Sequence, residues 1–146
     1  MKSPEKAKQI FGDGFNCSQA VLSTYGEKLG LNDAVSKKIS CGFGAGCARQ
    51  SLTCGAVSAG FMIIGLKYGR TQIEDEESKK VTYEMVNRFA DEFKKMYGSL
   101  NCYELLGGCD LATGGGQEYY EKNELFNKEC MHYVEFACKI LDNMGF

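Results

Sequence analysis

The sequence predicts an all-α fold, a compact bundle of about five to seven helices around a central apolar helix at about 54–68. Three observations predict it. Apolar residues recur at helical spacing through the two longest patterned stretches, one stretch is apolar on every side, and plausible helix-capping residues punctuate the chain. At 146 residues the chain makes one domain, 1–146, long enough to bury a core without covalent staples.

The first start signal is Asn16, followed three residues later by Gln19 as in a capping box, with Phe15 and Ala20 as a small staple. Cys17 then takes the first helical position. Next comes CGFGAGCARQSLTC, from Cys41 to Cys54. Its Gly42, Gly44 and Gly46 give G-x-G-x-G, not G-x-G-x-x-G, and no G-K-S/T follows, so a phosphate loop is excluded. The glycines are expected to let the loop fold tightly over the end of the Cys54 helix, wrapping a site.

That helix, Cys54–Tyr68 (CGAVSAGFMIIGLKY), is expected to be packed on several sides, capped by Thr53 with Cys54 in first position. Its small residues Gly55, Ala56 and Ala59 allow the close approach of another backbone or of a cofactor. From Asp75 to Tyr97, Val81, Met85, Val86, Phe89, Phe93 and Met96 mark one face of a long scaffold helix closed by Gly98. Asn101 with Glu104 forms the next capping box, stapled by Leu100 and Leu105, and puts Cys102 in first position. Gly114, Gly115 and Gly116 read as a flexible connection. The last segment, Lys128–Met144, sets Cys130, Val134, Ala137, Leu141 and Met144 on one stripe; the helix either starts with Asn127 as cap and Cys130 third, or continues from Gln117, which removes Cys130 from a helix end, and Cys138 lies off the stripe, half-buried.

Cys17, Cys54, Cys102 and Cys130 thus each follow a capping residue. The first turn of a helix offers unpaired N–H groups and the positive end of the macrodipole, which favour the thiolate. Thiolate binds metal or attacks. The N-terminus shows no apolar stretch of signal length and no segment is long enough to span a bilayer, so a cytoplasmic protein without membrane insertion is expected. In that reducing compartment eight cysteines point to metal binding or redox chemistry more than to static disulfides.

A net charge of −2 with mixed signs leaves no basic stripe, and nucleic acid is not an expected partner. The single histidine, His132, rules out multi-histidine metal sites within one chain, and no third residue completes a Cys–His nucleophile around it. Tyr25, Tyr68, Tyr97, Tyr103 and Tyr133 read as packing residues. No C-x-x-C occurs, so there is no thioredoxin-type pair, no zinc-ribbon knuckle and no C-x-x-C-H for covalent haem. A site must be assembled from distant segments, as an iron–sulfur cluster, a zinc site or a dithiol/disulfide pair.

NCSQAV at Cys17, CGAVSAG at Cys54 followed by GLKYGR, NCYELLG at Cys102 and CMHYVEFA at Cys130 together resemble the C_GCAxxG_C_C family of redox-active proteins, over nearly the whole chain. The resemblance singles out the same four cysteines. It implies a small, helical, cysteine-dependent redox protein, and a similar domain accompanies haem and an iron–sulfur centre in split-Soret cytochromes. The chain departs from the pattern at Ala59, where the family motif has glycine, and Gly60 follows. Cys41, Cys47, Cys109 and Cys138 lie outside the signature, although Cys41 and Cys47 flank the Gly-rich loop as auxiliary thiols, with Arg49 near enough in sequence to lower a thiol pKa.

The expected function is therefore redox: four cysteines brought together as cluster ligands for electron transfer, or cycling through a disulfide, with a redox partner protein. The alternative is a structural or binding module with a four-cysteine zinc or other soft-metal site. The apolar helix is covered within the chain or by a second subunit.

Overall fold

Two helices, rather than one, form the centre of the bundle. The computed structural model describes Met1–Phe146. It contains eight right-handed α-helices and no strand: α1 Ser3–Gly12, α2 Cys17–Gly26, α3 Asp33–Ser40, α4 Gly55–Tyr68, α5 Glu76–Tyr97, α6 Cys102–Leu105, α7 Gly114–Lys122 and α8 Met131–Asn143. A 3₁₀ turn at Glu27–Leu29, another at Cys41–Phe43 and a π-helical turn at Phe126–Cys130 join them. No helix is long and apolar enough to cross a membrane.

The apolar α4 buries Gly55, Ala56, Val57, Ala59, Gly60, Ile63 and Ile64, but Leu66 is exposed, so it is not enclosed all round. The more completely buried element is α2, which touches α1, α3, α4 and α8. Its sequence conceals this, because Ser18, Ser23 and Thr24 are polar. Two of these hydroxyls return to the helix backbone, Ser23 donating to the Gln19 carbonyl at 2.6 Å and Thr24 to that of Ala20 at 2.8 Å, while Ser18 Oγ is buried without a partner.

Capping signals set several boundaries. Asn16 accepts from Gln19 N at 3.0 Å while the Gln19 side chain accepts from Asn16 N at 3.0 Å, completing the predicted box. Asp75 caps α5 through Ser78 N at 3.0 Å, and Gly98 closes it in the left-handed conformation at φ 83°. The buried face of α5 is Phe89, Ala90 and Phe93, continued by Tyr97; Met96, expected on this stripe, is 57% exposed. In α8, Val134, Ala137 and Leu141 are buried as expected, and Cys138, expected half-buried, is fully buried, since Tyr133 and Ile140 widen the stripe.

Two local expectations fail for physical reasons. Gly114, Gly115 and Gly116 form the first turn of α7 rather than a loose link: Thr113 Oγ1 accepts from Gly116 N at 2.9 Å, and Gly116 lies so close to the Asp110 carbonyl that no Cβ fits. The Asn101 side chain forms no cap hydrogen bond. A neighbouring strand-like segment takes that role instead.

Candidate functional site

Residues 51–54 and 100–103 run antiparallel through a single bridge between Thr53 and Asn101. Cys54 N donates to the Leu100 carbonyl at 2.8 Å, Cys102 N to that of Leu52 at 2.7 Å, and Tyr103 N to that of Ser51 at 3.2 Å. These bonds use the first N–H groups of α6 and hold the Cys54 and Cys102 backbones side by side. Cys54 is itself the residue before α4, with extended ψ of 133°, so Thr53 does not cap that helix and Gly55 is its first residue.

Cys17 reaches the same place from the start of α2. The two helix starts meet because residue 55 is glycine: a Cβ there would stand 2.5 Å from Cys17 Sγ. This is the close approach expected of Gly55. Ala56 and Ala59 are fully buried in the core and are not among the residues that line the cavity shared by the four thiols. Cys130 arrives from the π-helical turn that runs into α8, at helical φ/ψ and not at a capped helix start; Asn127 lies inside that turn.

All four thiols line one cavity of about 280 Å³, whose walls include Phe11, Leu106, Leu111, Phe126, Tyr120 and Tyr133, with Arg49 and Glu121 also present. Phe11 and Phe126 stack at 4.1 Å along one side. The roof is the Gly-rich loop, which contributes Ala45, Gly46 and Arg49. Its conformation was not legible in the sequence. Ala45, Gly46, Cys47, Ala48 and Arg49 all have positive φ, between 55° and 71°, making a left-handed turn that L-residues adopt only under strain. Gly46 is required there: a Cβ would meet Leu52 N at 2.6 Å and Cys102 Cβ at 2.8 Å.

The electrostatic expectation that all four thiols are activated holds for one. Cys17 is lowered to about 7, first by the hydrogen bond from the Cys54 thiol, then by backbone N–H groups of Ala45, Ser18 and Gly55 working against burial. Cys54, as the donor, is raised well above the usual thiol range by that bond, by burial and by the charge of its neighbours. Burial pushes Cys102 up to about 12, with the charges of Cys17 and Cys109 adding to it. Burial likewise pushes Cys130 up to about 12, against a hydrogen bond from Tyr120, while the charges of Cys17 and Cys102 push the same way as burial. The Tyr120 hydroxyl donates to Cys130 Sγ at 3.4 Å, and burial keeps that phenol well above its ordinary pKa. The Tyr133 hydroxyl lies 2.6 Å from the Leu105 carbonyl and 3.0 Å from Glu129 Oε2, holding α6 against α8.

The remaining cysteines stand apart from the cavity lining. Cys41 is exposed and Cys47 half-buried in the roof loop. The Cys41 carbonyl accepts from Asn16 Nδ2 at 2.8 Å, so that segment anchors the roof to the start of α2. Cys109 is buried and donates to the Gly116 carbonyl at 3.1 Å; Cys138 is enclosed between α8 and Tyr25. His132 is exposed and outside the cavity.

Sequence reasoning missed Tyr120 altogether and read Tyr133 as packing. The signal available for Tyr120 was only its place on a short helix ten residues before a signature cysteine. No three His, Cys, Asp or Glu side chains are clustered closely enough to hold a single metal ion.

Comparison with curated proteins and with solved structures returns no match. Residues 15–144 match the family model described as "Putative redox-active protein (C_GCAxxG_C_C)", which takes in all four cysteines of the cavity and nearly every helix that builds it, and the chain belongs to that family.

Proposed function

We propose that Cys17, Cys54, Cys102 and Cys130 hold an iron–sulfur cluster and that the protein transfers electrons to and from a redox partner protein. The observation that carries this reading is four thiols from four separate segments facing one largely apolar cavity. Disulfide cycling needs two thiols, whereas a cluster takes four cysteine ligands.

Bound there, the cluster supplies one-electron transfer. The chain's own residues hold and tune it. Gly55 leaves the space into which Cys17 points. Backbone N–H groups of Ala45, Ser18 and Gly55 stabilise charge on the Cys17 sulfur, and that of Ala56 does so at Cys54. Such donors stabilise the more negative, reduced state. Phe11, Leu106, Leu111 and Phe126 exclude water. Charge on Cys17 adds to burial in keeping Cys102 and Cys130 protonated; metal ligation would offset that repulsion and let them ionise.

The pairing of Cys17 with Cys54, which lowers the one thiol and raises the other, beside the close approach of Cys17 to Gly55, favours a second reading. In it the Cys17 thiolate attacks a disulfide partner and releases one thiolate. Cys54 then loses its proton and attacks the Cys17 sulfur, leaving a Cys17–Cys54 disulfide and releasing the second thiol.

Anaerobic purification followed by absorption spectroscopy and iron, zinc and sulfide analysis separates these. Visible charge-transfer bands with labile sulfide, lost in Cys54→Ser, are expected. Stoichiometric zinc, or a metal-free protein that reversibly forms the Cys17–Cys54 disulfide, overturns the cluster reading.

A further inference from the structure

Of the side chains around the cavity, Tyr120 alone among those outside the four cysteines hydrogen-bonds to one of their sulfurs, donating to Cys130 Sγ at 3.4 Å. Its position is fixed by the start of α7. Thr113 caps that helix through Gly116 N, the Gln117 side chain donates to the Leu111 carbonyl at 2.9 Å, and Gly116 packs directly on the Asp110 carbonyl. The helix therefore cannot slide or tilt without breaking those contacts, and the phenol is carried rigidly to the cavity wall.

Cys130 needs such a partner more than Cys17 or Cys54 does. Cys17 has backbone N–H donors and Cys54 has that of Ala56, but Cys130 sits mid-helix, where its neighbours' N–H groups are committed to helical bonds. We infer that Tyr120 is a positioning residue: its hydroxyl orients the Cys130 sulfur and raises the reduction potential of the bound cluster. The inference rests on the cluster reading above. When one electron enters from an external donor, negative charge on the ligand sulfurs grows and the O–H···S bond strengthens; the proton stays on the Tyr120 oxygen throughout.

Potentiometric titration of the anaerobically loaded protein tests this in three forms: unsubstituted, Tyr120→Phe, and with 3-fluorotyrosine at position 120. Removing the hydroxyl lowers the ratio of reduced to oxidised protein at a fixed solution potential by about threefold to tenfold, tenfold being about 59 mV for one electron. Fluorination makes the phenol a stronger donor and moves the ratio the other way. A merely steric role does not produce opposite shifts. Coincident potentials in all three forms, or shifts of one sign in both substituted forms, overturn the inference while leaving the cluster reading intact. If Tyr120→Phe does not load, the fluorinated protein decides, because it keeps ring and hydroxyl: a potential above that of the unsubstituted protein supports the inference and an unchanged or lower one overturns it. Unsubstituted protein that holds neither iron nor sulfide overturns both readings together.

Discussion

Alanine at position 55 introduces one methyl group at the point where the starts of α2 and α4 meet. The new Cβ would stand 2.5 Å from Cys17 Sγ, 2.9 Å from the Phe43 carbonyl oxygen and 3.1 Å from Ser18 N. Two of those atoms are backbone and cannot swing aside. Overpacking of this kind costs about 1–3 kcal/mol, offset by up to about 1 kcal/mol from the better helix propensity of alanine. A net destabilisation of about 0–3 kcal/mol follows.

Gly65, in the same helix, provides the control, since an added Cβ there meets nothing within 4 Å. Gly65→Ala keeps the propensity gain and stabilises by up to about 1 kcal/mol. The two variants should therefore differ by about 1–3 kcal/mol in urea unfolding of the reduced, metal-free protein, with unchanged m-values. Gly55→Ala should also change the alkylation rate of Cys17, which Gly65→Ala should leave alone. Equal stabilisation by both, with Cys17 reactivity untouched, would refute the close contact of Gly55 with Cys17.

In the reduced, metal-free protein, alkylation of Cys17 should be half-maximal near pH 7, and Cys54→Ala should move that midpoint upward by removing the largest stabilising bond; an unmoved midpoint refutes the pairing. Stability should rise between about pH 7 and 9, because Cys17, lowered from 9.0 to about 7, binds fewer protons folded than unfolded in that window. Above pH 9 it should fall, since Cys102, Cys130 and Cys138, raised from 9.0 to about 12, stay protonated in the fold while the unfolded chain ionises; a urea midpoint still climbing at pH 10 contradicts this. Ala48→Gly relieves a left-handed residue at φ 56°, worth about 1–2 kcal/mol less the entropy cost of glycine, so a gain of up to about 1 kcal/mol is expected and a lowered unfolding midpoint counts against the strained turn.

How much of this was written in the sequence depends on whether the determining interaction is local. The Asn16–Gln19 box and the Asp75 and Gly98 ends of α5 involve residues a few positions apart, and they form as read. The Asn101 box does not form: Asn101 N donates to Ser99 Oγ, and the N–H groups of Cys102 and Tyr103 pair with the carbonyls of Leu52 and Ser51, about a third of the chain away and outside any window of sequence. The same pairing delivers Cys54 and Cys102 to one place. Convergence was deduced from the missing C-x-x-C, but the thiols' ionisation was misjudged for three of four: the pairing with Cys17 raises Cys54 ahead of burial, and burial outweighs helix-end electrostatics at Cys102 and Cys130. Tyr120 stayed invisible because a tyrosine on a short polar helix looks the same whether its hydroxyl meets water or a sulfur.

The roof loop explains why the site is held where it is. Ala45, Cys47, Ala48 and Arg49 are non-glycine residues in left-handed conformation, each disfavoured by about 1–2 kcal/mol. Against a domain stability of about 5–15 kcal/mol, that is a large share. Glycines at these positions would relieve it, yet only Gly46 within the turn is one. Strain of this size persists when surrounding contacts over-determine the backbone. Here those contacts are the ones that build the site. Ala45 turns its N–H toward Cys17, the Gly46 carbonyl accepts from Leu52 N at 2.9 Å, and Leu52 in turn accepts from Cys102 N. One strained turn thus links the sulfur that ionises first to the segment that pairs Cys54 with Cys102.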